Sequence, residues 1–555
     1  MSPRTIRLRP WQKAALERFQ STVGAGVRPD FLAVATPGAG KATFALTAAR
    51  HWLADHPDAR LVVVAPTQHL KRQWASAAAE FDLALEPFWS PDDGLPADMD
   101  GIVTTYAQVA LNPGRLAPMV QFGFAILDEV HHAGDDRAWG DGLRIAFDAA
   151  EARLSLSGTP FRSDTTPIPF VTYEYEEAVP DYEYGYGDAL GDGGVVRPVH
   201  FPRVQGQMEW IGSDGSAYAA DFDDVLDRQR SNQRLRAALS PDGQWMPSVL
   251  RDAHRRLLEV RRTHPNAAGL VICIDVEHAR AIAGILERFG GARVTIATSD
   301  DPMASARIGR FAASDDEWIV AVRMVSEGVD IPRLRVGVFA TTTTTELFFR
   351  QALGRLVRWT RGMRRQRAWL YIPDDPRLRQ LAESVAEQRR HSLHKRARPD
   401  DDFVGDEAID VDAVPDDDDE QMSLFQVTSA VVTGLAGADE GGDVDDDAAS
   451  PEELDWDEAE ADDDESLAVV LPPKPRRAGA MISTAPGGPS LAESKSELRR
   501  QNADLVKHLV AVSGRSHREV NGELNRLSGV RRVTEATAQQ LAARLKAGEQ
   551  WVKTL

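Results

Sequence analysis

Apolar residues along this chain gather in short, nearly unbroken runs. One series falls at residues 31–35, 61–65, 101–104, 124–127 and 154–156, and a second at 269–274, 293–296, 318–322, 336–340 and 368–372. Between the runs, apolar positions recur at helical spacing, as over 68–80, 229–262 and 279–289. A strand that is apolar on both faces belongs inside a parallel sheet whose faces are covered by the intervening helices. The pattern predicts an α/β protein with two tandem parallel-sheet domains, over residues 1–172 and 199–398, and a cleft between them.

The remaining segments read differently. Residues 173–198 hold five of the eight tyrosines and are expected to form a connector. Its rings either pack between the sheets or stack on bases. Residues 399–490 are rich in acid, then in Pro and Gly, and are expected to be largely disordered. Over 491–555, Leu498, Leu505, Leu509, Val520, Leu524, Leu527, Leu541, Leu545 and Trp551 return to helical spacing, which predicts a small helical module.

Charge changes the picture. The formal net charge is −21, yet residues 400–473 alone hold 28 Asp and Glu with no Lys or Arg, so the rest of the chain stands at +7. The C-terminal module carries 12 basic and 7 acidic residues. A mildly basic body is compatible with a nucleic-acid partner, and an acidic total does not exclude one when the acid sits in a single segment. The module itself either binds nucleic acid or protein, or packs on the rest of the chain. The one cysteine, Cys273, excludes an internal disulfide framework and suits a reducing, cytoplasmic setting. Residues 1–9 are polar and basic, so no secretory leader is expected, and no apolar run is long enough to span a bilayer.

Two strand ends carry the candidate chemistry. The first apolar run leads into Pro37-Gly38-Ala39-Gly40-Lys41. The glycines let backbone N–H groups approach phosphate, the next helix adds its dipole, and Lys41 can reach the β- and γ-phosphates. An ordinary strand-to-helix turn can use the same residues, so the loop alone is not diagnostic. Asp128 and Glu129 close another buried run, where ligands collect in open α/β sheets. Asp128 suits Mg²⁺, directly or through water. Glu129 suits a base that orients an attacking water. His131 reads as a hydrogen-bonding coupler, because no Cys/His cluster of zinc spacing joins it. Arg355 and Arg358, with Gln351 just before them, are three apart and expected on one helical face. Facing the cleft they would stabilise charge on a transferring phosphoryl group; facing solvent they would be an ordinary basic helix face.

Taken in order, several segments resemble the motif series of a superfamily 2 helicase of the DExH type. They are Leu8-Arg9-Pro10-Trp11-Gln12, the loop ending at Lys41, Ala65-Pro66-Thr67, Thr104-Thr105-Tyr106, Asp128-Glu129-Val130-His131, Ser157-Gly158-Thr159-Pro160-Phe161-Arg162, residues 326–332 and residues 351–358. Within that superfamily the chain is similar to the branch shared by XPB-like helicases and type III restriction motor subunits, over roughly residues 8–373. The resemblance implies two RecA-like domains that bind ATP and Mg²⁺ between them and nucleic acid across their tops. It implies that Pro37, Gly38, Ala39, Gly40 and Lys41 hold phosphates, and that Gln12 reads adenine. Gly328 and Asp330 would border the nucleotide, and His131, Ser157 and Thr159 would couple it to movement. Pro66, Thr67, Thr105 and Thr342 would lie near the nucleic-acid backbone, as suits a translocase, since phosphates carry no sequence information. The expected activity is that of an ATP-dependent DNA helicase or translocase. An RNA helicase, an ATP-gated binding scaffold and the motor of a restriction or defence complex are the alternatives.

Ala42 departs from the family pattern, which has Ser or Thr there to ligate Mg²⁺. Thr43 follows, but one residue along a helix turns a side chain by about 100°. Retained ATP binding with weaker Mg²⁺ capture and slower hydrolysis is therefore expected. Inside the acidic segment, Gln421-Met422-Ser423-Leu424-Phe425 resembles the clamp-binding pentapeptide of bacterial replication and repair proteins. Gln421, Leu424 and Phe425 are thus candidate contacts to a sliding clamp; a chance apolar patch is the alternative. The acid around it could also mimic DNA and occupy the motor in cis.

Overall fold

The computed structural model describes residues 5–92, 94–134, 137–158, 167–174, 177–212, 215–289, 291–298, 301, 303–322, 331–360, 362–363, 366–397, 426–437, 468–473 and 490–554. Thr159, Gly328, Asp330 and the pentapeptide 421–425 lie outside them. The chain divides into two compact units. The first comprises residues 1–34, 40–183 and 464–555, the second residues 35–39 and 184–463.

The first unit is built on a sheet whose strands run in the order Tyr182–Tyr184, Asp30–Ala35, Ala152–Ser157, Phe124–Leu127, Leu61–Ala65, Gly101–Thr105, Leu85–Glu86. From Asp30–Ala35 onward every neighbouring pair is parallel. Every residue of Leu61–Ala65, Gly101–Thr105 and Phe124–Leu127 is buried, so both faces of the sheet are covered. Parallel strands also place their C-terminal ends on one edge. Residues 66–67, 128–129 and 158 all leave the sheet there.

The C-terminal helices Leu491–Ser513, His517–Ser528 and Ala538–Val552 belong to this unit. Each begins with a reciprocal capping box, Ser490 with Glu493, Ser516 with Glu519 and Thr537 with Gln540. Val506, Leu509, Val520 and Leu524 form their apolar core. The bundle packs on the sheet unit through a buried ion pair, Lys495 Nζ to Asp98 Oδ1 at 2.7 Å, with neither side chain exposed. The Ala538 N–H donates to the other Asp98 oxygen at 2.8 Å, and Arg499 pairs with Glu86 at 2.9 Å. Packing, one of the two fates open to this module, is therefore observed. Just before it, Ala468–Val470 pairs antiparallel with Thr5–Arg7.

The second unit has a mixed sheet. Its parallel part pairs Ala268–Cys273 with Trp318–Val322 and Leu334–Ala340, and extends to Val294–Ala297 and Ala368–Pro373. Cys273 is buried there as a small strand residue. The predicted parallel strands are thus found in both units, within one or two residues of their expected limits.

Three features depart from the expected pattern. Pro202–Ile211 joins Ala368–Pro373 in parallel and pairs antiparallel with Ala217–Asp221, extending the second sheet. The helix expected over 229–262 is two helices, Arg228–Leu239 and Trp245–Thr263. Pro241 and Gly243 interrupt it, since Pro disfavours continuation and Gly supplies the turn. Within 399–490, expected to be largely disordered, Gln426–Gly437 pairs antiparallel along the whole of Pro202–Ile211. A charge count over the segment hides this short β-rich island.

The described tyrosines of 173–198 pack. Tyr186 Oη donates to the Arg197 carbonyl and accepts from the Val199 N–H. Tyr184 Oη donates to Asp192, and Tyr182 stacks on Trp11. Among the described residues no helix is long and apolar enough to cross a membrane.

Removing one partner of a buried ion pair leaves the other charge uncompensated, at a cost of about 3–5 kcal/mol. Asp98→Ala is therefore expected to lower the thermal stability of the first unit by that order. Lys495→Met added to it should recover part of the loss, as differential scanning calorimetry would record. A single mutant as stable as wild type would contradict the packing described.

Candidate functional site

In the sheet of the first unit, the strand Asp30–Ala35 passes through Thr36 into the glycine loop, and the helix Lys41–Asp55 begins directly after it. Gly38 and Gly40 adopt φ of +90° and +91°, a region costly for any residue with a side chain. A Cβ at Gly40 would stand 2.6 Å from Gln12 Nε2. That closeness is used, because Gln12 Nε2 donates to the Gly40 carbonyl at 2.9 Å. Gln12 Oε1 accepts from the Arg9 N–H at 2.8 Å. In this arrangement Gln12 ties the start of its own helix to the phosphate loop.

Lys41 reaches across to Glu129, Nζ to Oε1 at 3.1 Å. The second Glu129 oxygen accepts from the Gly158 N–H at 3.0 Å and lies 3.7 Å from His131 Nδ1. His131 Nδ1 is in turn 3.4 Å from Ser157 Oγ. Gln12, Gly40, Lys41, Glu129, His131 and Ser157 are thus one connected group. Burial works against charge on Glu129, but Lys41, then His131, and the hydrogen bonds from Lys41 and Gly158 outweigh it and hold the carboxyl at about 2. Its neighbour goes the other way. Burial, reinforced by the adjacent Glu129 charge, pushes Asp128 up to about 6. Glu129 itself has φ +47°, a left-handed conformation uncommon for a residue with a side chain.

Asp128 is held by two aromatic residues, Trp74, which lies outside the motif series, and Tyr106, which the series includes without a role. Trp74 Nε1 donates to Asp128 Oδ2 at 2.8 Å, and Tyr106 Oη donates to the Asp128 carbonyl at 2.8 Å. Trp74 lies on the helix Gln68–Glu80, which begins immediately after Pro66-Thr67. Tyr106 opens the helix Tyr106–Leu111, whose N-cap is Thr105. The same two helices are tied together by Lys71 Nζ to Gln108 Oε1 at 3.0 Å. Gln108 also contacts both threonines, as acceptor from Thr104 Oγ1 and as backbone donor to Thr105 Oγ1. The sequence did carry a signal: an aromatic at or shortly after each of two motifs at the same sheet edge.

Magnesium fits the donor set. The ion is commonly held by one or two carboxylates, with water and substrate phosphate completing its shell. Asp128 supplies a carboxylate at the strand end, held by Trp74 and the Glu129 backbone, while Glu129 is engaged by Lys41 and Gly158. Among the described residues there is no cluster of three or more His, Cys, Asp and Glu of the kind zinc requires. Ala42 contributes no oxygen from its side chain.

In the second unit, Gln351 and Arg355 are four apart on the helix Glu346–Leu356 and share a face. Arg358 does not share it. The helix ends at Leu356, and Arg358 forms an isolated antiparallel bridge with Val196, next to the Arg197 N–H bond to the Val357 carbonyl. The expected single helical face for both arginines is thereby corrected; backbone pairing with residues 196–197 ends the helix first. Thr342 follows the strand Leu334–Ala340 at its C-terminal end.

A family model described as type III restriction enzyme, res subunit, matches residues 5–162. Uncharacterized protein Rv2917 of Mycobacterium tuberculosis (strain ATCC 25618 / H37Rv) is 45% identical over 400 residues, which cover 70% of this chain and 65% of that protein. The chain therefore spans just under two thirds of that relative. Uncharacterized protein ML1624 of Mycobacterium leprae (strain TN) is 38% identical over 565 residues, covering 98% of this chain and 94% of that protein. Among solved structures, the ATP-dependent type ISP restriction-modification enzyme LlaBIII bound to DNA is similar at 13% identity and a TM-score of 0.47, over 69% of this chain and 30% of that one. The chain belongs to the family of these mycobacterial proteins, and its residues 5–162 form a domain of the res-subunit type.

Proposed function

We propose that this chain hydrolyses ATP and uses it to move along or separate DNA. The observation that carries this reading is the unbroken path from Lys41 and Glu129 through Asp128 to Trp74 and Tyr106, and so to the loops at Thr67 and Thr105. A motor needs such a link between the place where phosphate is held and the place where a polymer is gripped. The res-subunit description of residues 5–162 favours DNA over RNA.

In this reading the loop 37–41 receives the phosphates, with backbone N–H groups and Lys41 supplying positive charge. Lys41 neutralises Glu129 until phosphate oxygens compete for it. Glu129, freed from Lys41 but still fixed by Gly158, then accepts a hydrogen bond from the attacking water. Mg²⁺, held through Asp128, would offset charge on the β- and γ-phosphates. His131 and Ser157 sense Glu129 and pass its state to the loop that includes Thr159. Reading adenine requires Gln12 to trade one of its two backbone bonds for the base. For Gln351, Arg355, Arg358, Gly328 and Asp330 the support is the resemblance alone. Pro66, Thr67, Thr105 and Thr342 are assigned to the polymer backbone because they sit at strand ends.

Steady-state ATP turnover, measured without polymer and with single-stranded DNA, duplex DNA or RNA, tests the reading directly. Stimulation by DNA is expected, and Glu129→Gln should lower turnover by about 100-fold or more while ATP still binds. No turnover with any polymer, but intact ATP binding, would replace the motor by an ATP-gated scaffold, the reading that Ala42 favours. Ala42→Thr restores a hydroxyl and should lower the Mg²⁺ concentration needed for half-maximal turnover; an unchanged Mg²⁺ dependence would remove the proposed role of this position.

Trp74→Phe keeps the ring and deletes the indole N–H. A lost hydrogen bond to a charged group costs about 1.5–3 kcal/mol, which denaturant titration would detect. DNA stimulation should fall more than basal turnover does. An equal fall in both would mean that Trp74 only supports the fold.

A further inference from the structure

We propose that a cavity between the sheet and the C-terminal helical bundle, both in the first unit, receives an unpaired nucleic-acid base. The inference rests on the reading of Thr67 and Thr105 as backbone contacts. The cavity is about 350 Å³, near the lower end of the roughly 300–1,000 Å³ typical of ligand pockets. That suits one planar heterocycle.

Its lining divides into an apolar wall and a polar wall. Phe88, Trp89 and Pro96 form the first; Glu86, Ser496 and Arg499 form the second. Such a combination matches a base, which has a flat π face and a hydrogen-bonding edge. Phe88 is unusual for an aromatic residue in being 53% exposed. The Arg72 guanidinium stands over its ring, 5.3 Å from the centroid. Arg499 and Glu86 hold each other at 2.9 Å, so the polar wall keeps both donors and an acceptor in place.

Location favours a polymer over a free metabolite. The strand Leu85–Glu86 is parallel to Gly101–Thr105, with Leu85 opposite Gly101 and Glu86 opposite Ile102. The pairing ends three residues short of Thr105, so residues 87–89 leave the sheet heading toward the edge where Thr105 and, one strand further, Pro66-Thr67 emerge. Arg72 belongs to the helix that starts after Thr67. A strand laid along that edge reaches Phe88 next. The Glu86 carboxylate, neutralised by Arg499, can accept from the amino group of a neutral base.

The test uses the full-length protein and single-stranded DNA carrying 2-aminopurine at successive positions. One position should change its fluorescence on binding. Phe88→Ala should abolish that change and weaken binding about 5- to 100-fold, the range for loss of one stacked base. ATP turnover without polymer and the melting temperature should stay as in wild type, and Phe88→Trp should restore binding. Wild-type affinity in Phe88→Ala would overturn the proposal. So would capture of an Asp/Glu-rich peptide that is lost in Phe88→Ala while DNA binding is unchanged. A Phe88-dependent fluorescence change without any stimulation of ATP turnover would support the cavity and sink the motor reading instead.

Discussion

Two carboxylates at adjacent positions cannot both hold full charge at a buried strand end unless their surroundings separate them. The first unit meets this constraint with geometry and with partners. The left-handed turn at Glu129 sends its side chain away from that of Asp128, and such a conformation, costing on the order of 1–3 kcal/mol, persists only where neighbours enforce it. Lys41, His131 and Gly158 then collect around Glu129, while Trp74 and the Glu129 backbone N–H donate to the Asp128 carboxylate. One acid is held ionised and the other is lifted toward neutrality. In the function proposed, dividing two acids in this way would set their separate tasks before ATP arrives.

The partners of the pair come from different strand ends, and this makes the site a junction. Lys41 follows the first strand of the sheet, Gly158 ends the strand beside it, and Trp74 and Tyr106 follow the two strands on the far side. Anything that draws Lys41 away changes the charge balance at Glu129 and, through it, at Asp128. The helices after Thr67 and Thr105 hold Asp128 directly, so they feel that change within one hydrogen bond. No long relay is needed: the parallel sheet brings the loops together because all its strands point one way.

Much of this was legible in the sequence because it depends on local pattern. Continuous apolar runs located the parallel strands, and glycine at 38 and 40 marked the only residues suited to φ near +90°. What escaped depended on long-range pairing. The strand 426–437 is flanked by acid and looks like an interruption of it until Pro202–Ile211 is seen alongside. The bonds from Trp74 and Tyr106 to Asp128 join positions 54 and 22 residues apart, and no periodicity encodes them. The two arginines at 355 and 358 fit one helical face on spacing alone, but a single backbone bridge to Val196 ends the helix between them.

The C-terminal bundle illustrates the same limit for polar residues. Its helical spacing was readable, whereas its seat on the sheet unit was not, because that seat is polar. Apolar surfaces tolerate sliding. A buried Lys495–Asp98 pair does not, since displacement leaves two charges without partners or water. Replacing such a pair by apolar residues often costs little, so its contribution lies in register more than in strength. Register matters here because Arg499 stands one helical turn from Lys495, and it must meet Glu86 for the polar wall of the cavity to exist. The ion pair and the cavity are therefore one arrangement: fixing the helix at Asp98 is what brings Arg499 and Ser496 opposite Phe88.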